Sequence, residues 1–291
     1  LLGMPAAKGL FQQAILQSGA ASHVVSSEVA TKNAERLLKI LNISKENLEK
    51  LEEIPAEKLV EASNQLRMMT LIPVIDGVYI PNHPKNAIRD GVAKDINILI
   101  GTNKDEYKLF TIFDPTWKNA DQKIIEGIFK GTFRKNWEKM SQNFQSNKLN
   151  RTLYERLMNI SAFINPALYL ANEQTKNGGN VWMYRFDWES TAFNGQLGAC
   201  HALEIPFVWN ALHNEKVELF TGYSPILGKL AQQMHQAWIN FAHHGDPNND
   251  FLPNWPKYTL DKQTTLLFNN ESKIVNAPHQ KEIEFWDTLH K

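Results

Sequence analysis

Two short apolar runs, far apart in the chain, constrain its fold most: "INILIGT" at 96–102 and "VWMYRFDW" at 181–188. Each packs β-branched or aromatic residues with little polar alternation, the pattern of a strand buried on both faces. Between them, residues 118–176 carry apolar positions at helical spacing among Lys, Asn and Glu, and Asn177-Gly178-Gly179 closes the stretch. Parallel strands need a crossover of a dozen residues or more, usually a helix. The alternation therefore predicts an α/β fold, a mostly parallel sheet flanked by helices.

The rest of the chain fits that plan. "FQQAILQSG" at 11–19 reads as a buried strand feeding a loop, and 28–41, 44–51 and 56–67 read as helical. "PVIDGVYIP" at 73–81 holds Asp76-Gly77 between two prolines and predicts a hairpin. A long amphipathic helix is expected over 226–243. "TTLLFN" and "SKIV" are expected to pair across Asn269-Asn270, and "KEIEFWDTLH" to end the chain as a helix. No repeat, low-complexity tract or flexible linker breaks the pattern, so residues 1–291 are expected to lie in a single domain. The opening "LLGMPAAKGLF" reads as the last turn of a buried helix followed by a loop, since the residue before Pro5 is pushed toward extended conformations. That reading makes the chain a carboxy-terminal portion, its sheet incomplete on the amino-terminal side.

Charge and cysteine content exclude several functions. Lys plus Arg and Asp plus Glu both number 31, leaving no net field to gather nucleic acid or an anionic membrane. Apolar runs are far too short to span a bilayer. A single cysteine, Cys200, cannot form a disulfide within the chain and suits a reducing compartment, so a cytoplasmic location is expected.

Functional groups of an open parallel sheet gather beyond the carboxyl ends of its strands. After the first run comes "TNKDEY", with Asp105 and Glu106; after the second, a glycine-containing loop leads to His201 in "GACHALEIPFVW". An acid on one such loop and a histidine on the next can form two parts of a nucleophile–base–acid relay. "KDE" is also a common solvated string, and Asp105 is the alternative acid. Glu204 is expected to play a structural part, and Cys200 to be a small buried residue rather than a nucleophile. "HHGD" at 243–246 needs no metal: a helix ending at Gly245 explains it. "FRKNWEK" at 133–139 interleaves cations and aromatics, yet the neutral charge balance argues against nucleic acid.

Six stretches, "GLFQQAILQSG", "PVIDGVYIP", "ILIGTNKDEY", "CHALEIPFVW", "WINFAHHGDPN" and "WPKY", resemble in sequence and order the type-B carboxylesterases, which adopt the α/β-hydrolase fold. "MPAAKGLF" and "VWMYRFDW" point to the bacterial para-nitrobenzyl esterases within that group. The resemblance implies a serine esterase acting on a small-molecule carboxylic ester without metal or organic cofactor. Glu106 matches the triad acid and His201 the triad base. Tyr107 departs from the pattern, because glycine usually follows the acid. The nucleophile should sit in a G-x-S-x-G elbow preceding the acid in sequence. No serine here lies between two such glycines; Ser18 in "LQSGA" matches a position on the next strand instead. The elbow is expected about ten residues before Leu1, so residues 1–291 alone should be inactive and need the missing amino-terminal half of the domain as partner. The alternative is an esterase-like binding module that has lost its nucleophile. Such a module has no need of both Glu106 and His201. A lipase would differ only in pocket and lid.

Overall fold

The structure, a computed structural model, describes residues 1–66, 70–142 and 149–289, and of Lys135 the backbone alone. Residue 67 of the expected helix 56–67, 143–148 of the long helical stretch and residue 290 of the last helix lie outside the described residues.

The chain forms two compact units, one of residues 1–8 with 21–92 and one of residues 9–20 with 93–291. In the first unit, strands β2 (Val25–Ser26) and β3 (Val74–Ile75) pair in parallel. A helix over Ser27–Leu41 starts where the Ser26 hydroxyl accepts the Val29 amide, and ends at Asn42 in the left-handed region. Residues 44–51 are not an α-helix but a tighter 3₁₀ segment, Lys45–Leu51, kinked at Asn47.

Two expectations fail in this unit. Residues 73–81 form no hairpin. The Asp76 carboxylate accepts the amides of Val78 and Ile80 at 2.9 Å each, and Gly77 at φ +78° turns the chain. Asp76 thus satisfies locally the donors that a returning strand would have paired. Leu1 and Leu2 do not close a buried helix either: Leu1 is exposed and its carbonyl takes the Met4 amide in a turn.

The second unit holds the predicted sheet. Its strands are β1 (Gln13–Gln17), β4 (Asn97–Asn103), β5 (Val181–Phe186), β6 (Thr264–Phe268) and β7 (Lys273–Asn276), in the order β1-β4-β5-β6-β7. The first four run parallel; β7 turns back antiparallel to β6 as the expected hairpin. β1 pairs with β4 and forms one edge.

Side-chain alternation divides β5 between two faces. Trp182, Tyr184 and Phe186 join Leu266, Phe268 and Trp255 in a core with Leu230, Met234, Trp238 and Phe241 of the helix Leu227–His244. The helix Asn165–Lys176 packs on β4 and β5, yet none of its buried residues enters that core, so it covers the other face. Gly245 ends the Leu227–His244 helix in the left-handed region, its amide bonded to the Phe241 carbonyl, as "HHGD" suggested. No helix among the described residues is long and apolar enough to cross a membrane.

Candidate active site

Parallel register aligns the carboxyl ends of β1, β4 and β5: Gln17 lies opposite Gly101, and Asn103 opposite Phe186. Three segments leave the sheet along this edge. β1 continues into Ser18, β4 into 104–107, and β5 into the long loop that returns at 198–201.

Backbone bonds tie the last two together. The Lys104 amide donates to the Phe186 carbonyl, Asp105 to Ala199, and His201 to Glu106. Gly198 makes the crossing possible. It sits at φ +57°, and a Cβ there would lie 2.5 Å from Asp105 Oδ2 and 2.6 Å from Lys108 Nζ. Any larger residue would be strained at that φ and would push the Asp105–Lys108 pair aside.

Within this frame Glu106 is fully buried and His201 Nδ1 lies 2.6 Å from its Oε2. Glu106 Oε1 accepts the Ser18 hydroxyl at 2.5 Å and the Asn103 amide at 2.7 Å. With a proton on Nδ1, all three neighbours donate, which is the environment an ionised carboxylate needs. The His201 side chain is 34% exposed, and its engaged Nδ1 leaves Nε2 on the opposite edge of the ring. The hydrogen bond that His201 donates to Glu106 raises the His201 pKa above the ordinary imidazole range, outweighing burial, with the charges of Glu106 and Glu204 adding to the rise. Phe110 and Phe163 flank the imidazole with ring centroids at 5.3 and 5.4 Å.

Asp105 is engaged elsewhere. Its carboxylate accepts the Ala199 amide at 3.1 Å and pairs with Lys108 at 3.2 Å, so it tethers the histidine loop without reaching the imidazole. Tyr107 does not crowd the site. Its backbone lies at φ −79°, which asks for no glycine, and its ring packs against Phe110 and Tyr154. Cys200 is fully buried, and burial pushes its thiol up to about 12. It is not a thiolate at neutral pH.

Glu204 stands one step removed. It accepts Gln17 Nε2 at 3.0 Å and Asn103 Nδ2 at 2.6 Å, and burial, followed by the charge of Glu106, raises its carboxyl above the usual range. Asn103, Gln17 and the Ser18 contact are parts that the sequence pattern did not announce. Ser18 and Ala202 also hold positive φ, at 58° and 65°. Two such residues bordering one cluster mark a place where packing imposes strained backbone.

Residues 1–286 match the family model described as the carboxylesterase family. The chain belongs to that family. It is 33% identical to the para-nitrobenzyl esterase of Bacillus subtilis over 97% of its own length and 58% of that protein's. It is 29% identical to the phenmedipham hydrolase of Pseudarthrobacter oxydans, over 93% of its own length and 56% of that protein's. Among solved structures, a Geobacillus stearothermophilus carboxylesterase superimposes with a TM-score of 0.82 at 36% identity, covering 97% of this chain and 59% of the other. The fold is therefore that of the α/β-hydrolase carboxylesterases, and the chain spans somewhat over half the length of the carboxylesterase relatives it matches.

Proposed function

We propose that the full-length protein is a carboxylic ester hydrolase working through a serine acyl-enzyme, with His201 as base and Glu106 as the acid that orients it. The 2.6 Å contact between the buried Glu106 carboxylate and His201 Nδ1, at the carboxyl edge of a parallel sheet, carries this reading. The nucleophile would come from outside residues 1–291, because no serine here occupies a G-x-S-x-G turn. Both compact units would belong to one catalytic domain, whose remaining portion brings the serine and the amides that stabilise the oxyanion.

In that arrangement His201 Nε2 takes the serine proton as the hydroxyl attacks the ester carbonyl. The imidazolium, stabilised by Glu106, then gives the proton to the departing alcohol, and water repeats the cycle on the acyl-enzyme. Phe110 and Phe163 would contribute an apolar wall beside the reacting carbon. A simple para-nitrobenzyl or para-nitrophenyl ester is the first substrate class to test. The lone, buried Cys200 is consistent with a cytoplasmic home.

The base must be neutral to act. Because the His201 pKa is raised, kcat/KM of the full-length protein should fall as pH drops through a value above the ordinary 6.5. A pH–rate profile on a para-nitrophenyl ester checks this. An acid limb centred well below pH 6 contradicts the assignment. A folded full-length protein without ester turnover would favour the binding-module reading.

A further inference from the structure

The amides around Glu106 find their partners unequally. On its amino-terminal side the loop is bonded to β5 and to the histidine loop, through Lys104 to Phe186 and Asp105 to Ala199. On its carboxy-terminal side the Tyr107 amide instead donates to the side chain of Asn159, Oδ1 at 2.7 Å, and Asn159 Nδ2 reaches back to the Lys104 carbonyl at 3.3 Å. One carboxamide thus brackets Glu106 from both flanks.

Asn159 opens a single π-helical turn, Asn159–Ile164, between the helices Arg151–Met158 and Asn165–Lys176. In it the Asn165 amide bonds to the Ile160 carbonyl, five residues back. Pro166 follows directly; its ring conflicts with the carbonyl four residues earlier and it lacks an amide, so a regular α-helix cannot run through this point. The wider turn re-aims side chains relative to a straight helix. The same turn carries Phe163 onto the His201 ring at 5.4 Å.

We infer that Asn159 is a positioning residue, holding the Glu106 loop so that the carboxylate meets His201, and that the π-turn makes one rigid support for both partners. This rests on the roles proposed for Glu106 and His201. Asn159 is half-buried and borders an open cavity of about 360 Å³ whose lining includes the polar side chains of Lys104, Lys108 and His279. Water can therefore satisfy the Tyr107 amide if the side chain is removed. The loss should show as a loosened loop rather than an unfolded protein.

The test uses the full-length protein with Asn159→Ala, and Asn159→Asp as the variant that keeps an acceptor for the Tyr107 amide. Two readings are taken: the His201 pKa and Nδ1 proton resonance by NMR, and the split of kcat from KM on a para-nitrophenyl ester. In Asn159→Ala the His201 pKa should drop toward 6.5 and the Nδ1 proton signal should weaken. Turnover should fall about 10- to 100-fold with KM little changed, the size expected from displacing a catalytic group by about 1 Å. Asn159→Asp should recover most of both. If Asn159→Ala does not fold, Asn159→Gln, whose carboxamide is displaced by one methylene, reads the same outcomes. An unchanged His201 titration in a folded Asn159→Ala or Asn159→Gln protein overturns the inference. A lowered pKa in a protein whose wild type hydrolyses no ester would leave the positioning role standing and remove the esterase reading instead.

Discussion

Replacing His201 with alanine in the full-length protein is expected to lower ester turnover by about 10⁶-fold, the cost of deleting the base of a serine triad. That corresponds to about 8 kcal/mol of barrier. The fold should lose far less. His201 is partly exposed, and Glu106 keeps two donors, the Ser18 hydroxyl and the Asn103 amide, so its buried charge is not left bare. Activity should collapse while the thermal midpoint moves by only a few degrees. Steady-state kinetics beside a melting curve separates the two. A variant that retains even one per cent of wild-type turnover would exclude His201 as the base.

Glu106→Gln should cost about 10⁴-fold in kcat, for a reason specific to this site. The buried Asn103 amide needs an acceptor 2.7 Å away, where Glu106 Oε1 now sits. A glutamine will turn its oxygen there, because an unmet buried amide costs about 1–3 kcal/mol. Its NH₂ group is then left facing His201 Nδ1 across the 2.6 Å contact. Nδ1 must accept, the ring proton moves to Nε2, and the imidazole can no longer take a proton from a serine. The imidazolium loses its counter-charge as well, so the His201 pKa should fall. NMR of the histidine ring would report both changes. A Glu106→Gln protein with near-normal kcat would mean that the carboxylate neither orients nor charges the base.

The sheet was legible because its signals are local. Residues 96–102 and 181–188 are rich in β-branched and aromatic residues with few polar interruptions, and the helical stretches between parallel strands leave few other arrangements. The failed hairpin at 73–81 shows the limit of that approach. Proline, Asp and Gly mark a turn, but the Asp76 side chain bonds its own following amides and no strand follows to pair back on Val74–Ile75. The pair Asp105-Glu106 and His201 could be picked out because they follow strands that were themselves plain, and the resemblance then chose Glu106 over Asp105. Their supports could not. Ser18 meets Glu106 across 88 residues and Asn159 meets Tyr107 across 52, and neither side chain carries a pattern that names its partner. Pro166 was a visible break in a helical stretch, but the turn it enforces, and the carboxamide that turn aims, exist only in three dimensions. Tyr107, where the resemblance implied a glycine, proved compatible because its backbone is ordinary and its ring finds aromatic neighbours.

At the centre of the proposed function stands a division of labour: the acid and base would lie within residues 1–291 and the nucleophile outside them. Intact-mass spectrometry after treatment with a fluorophosphonate tests this most directly, comparing the purified 291-residue polypeptide with the full-length protein. The full-length protein should gain one adduct and the 291-residue polypeptide none. An adduct on Ser18, the serine already touching Glu106, or on any other serine of the 291, would contradict the account.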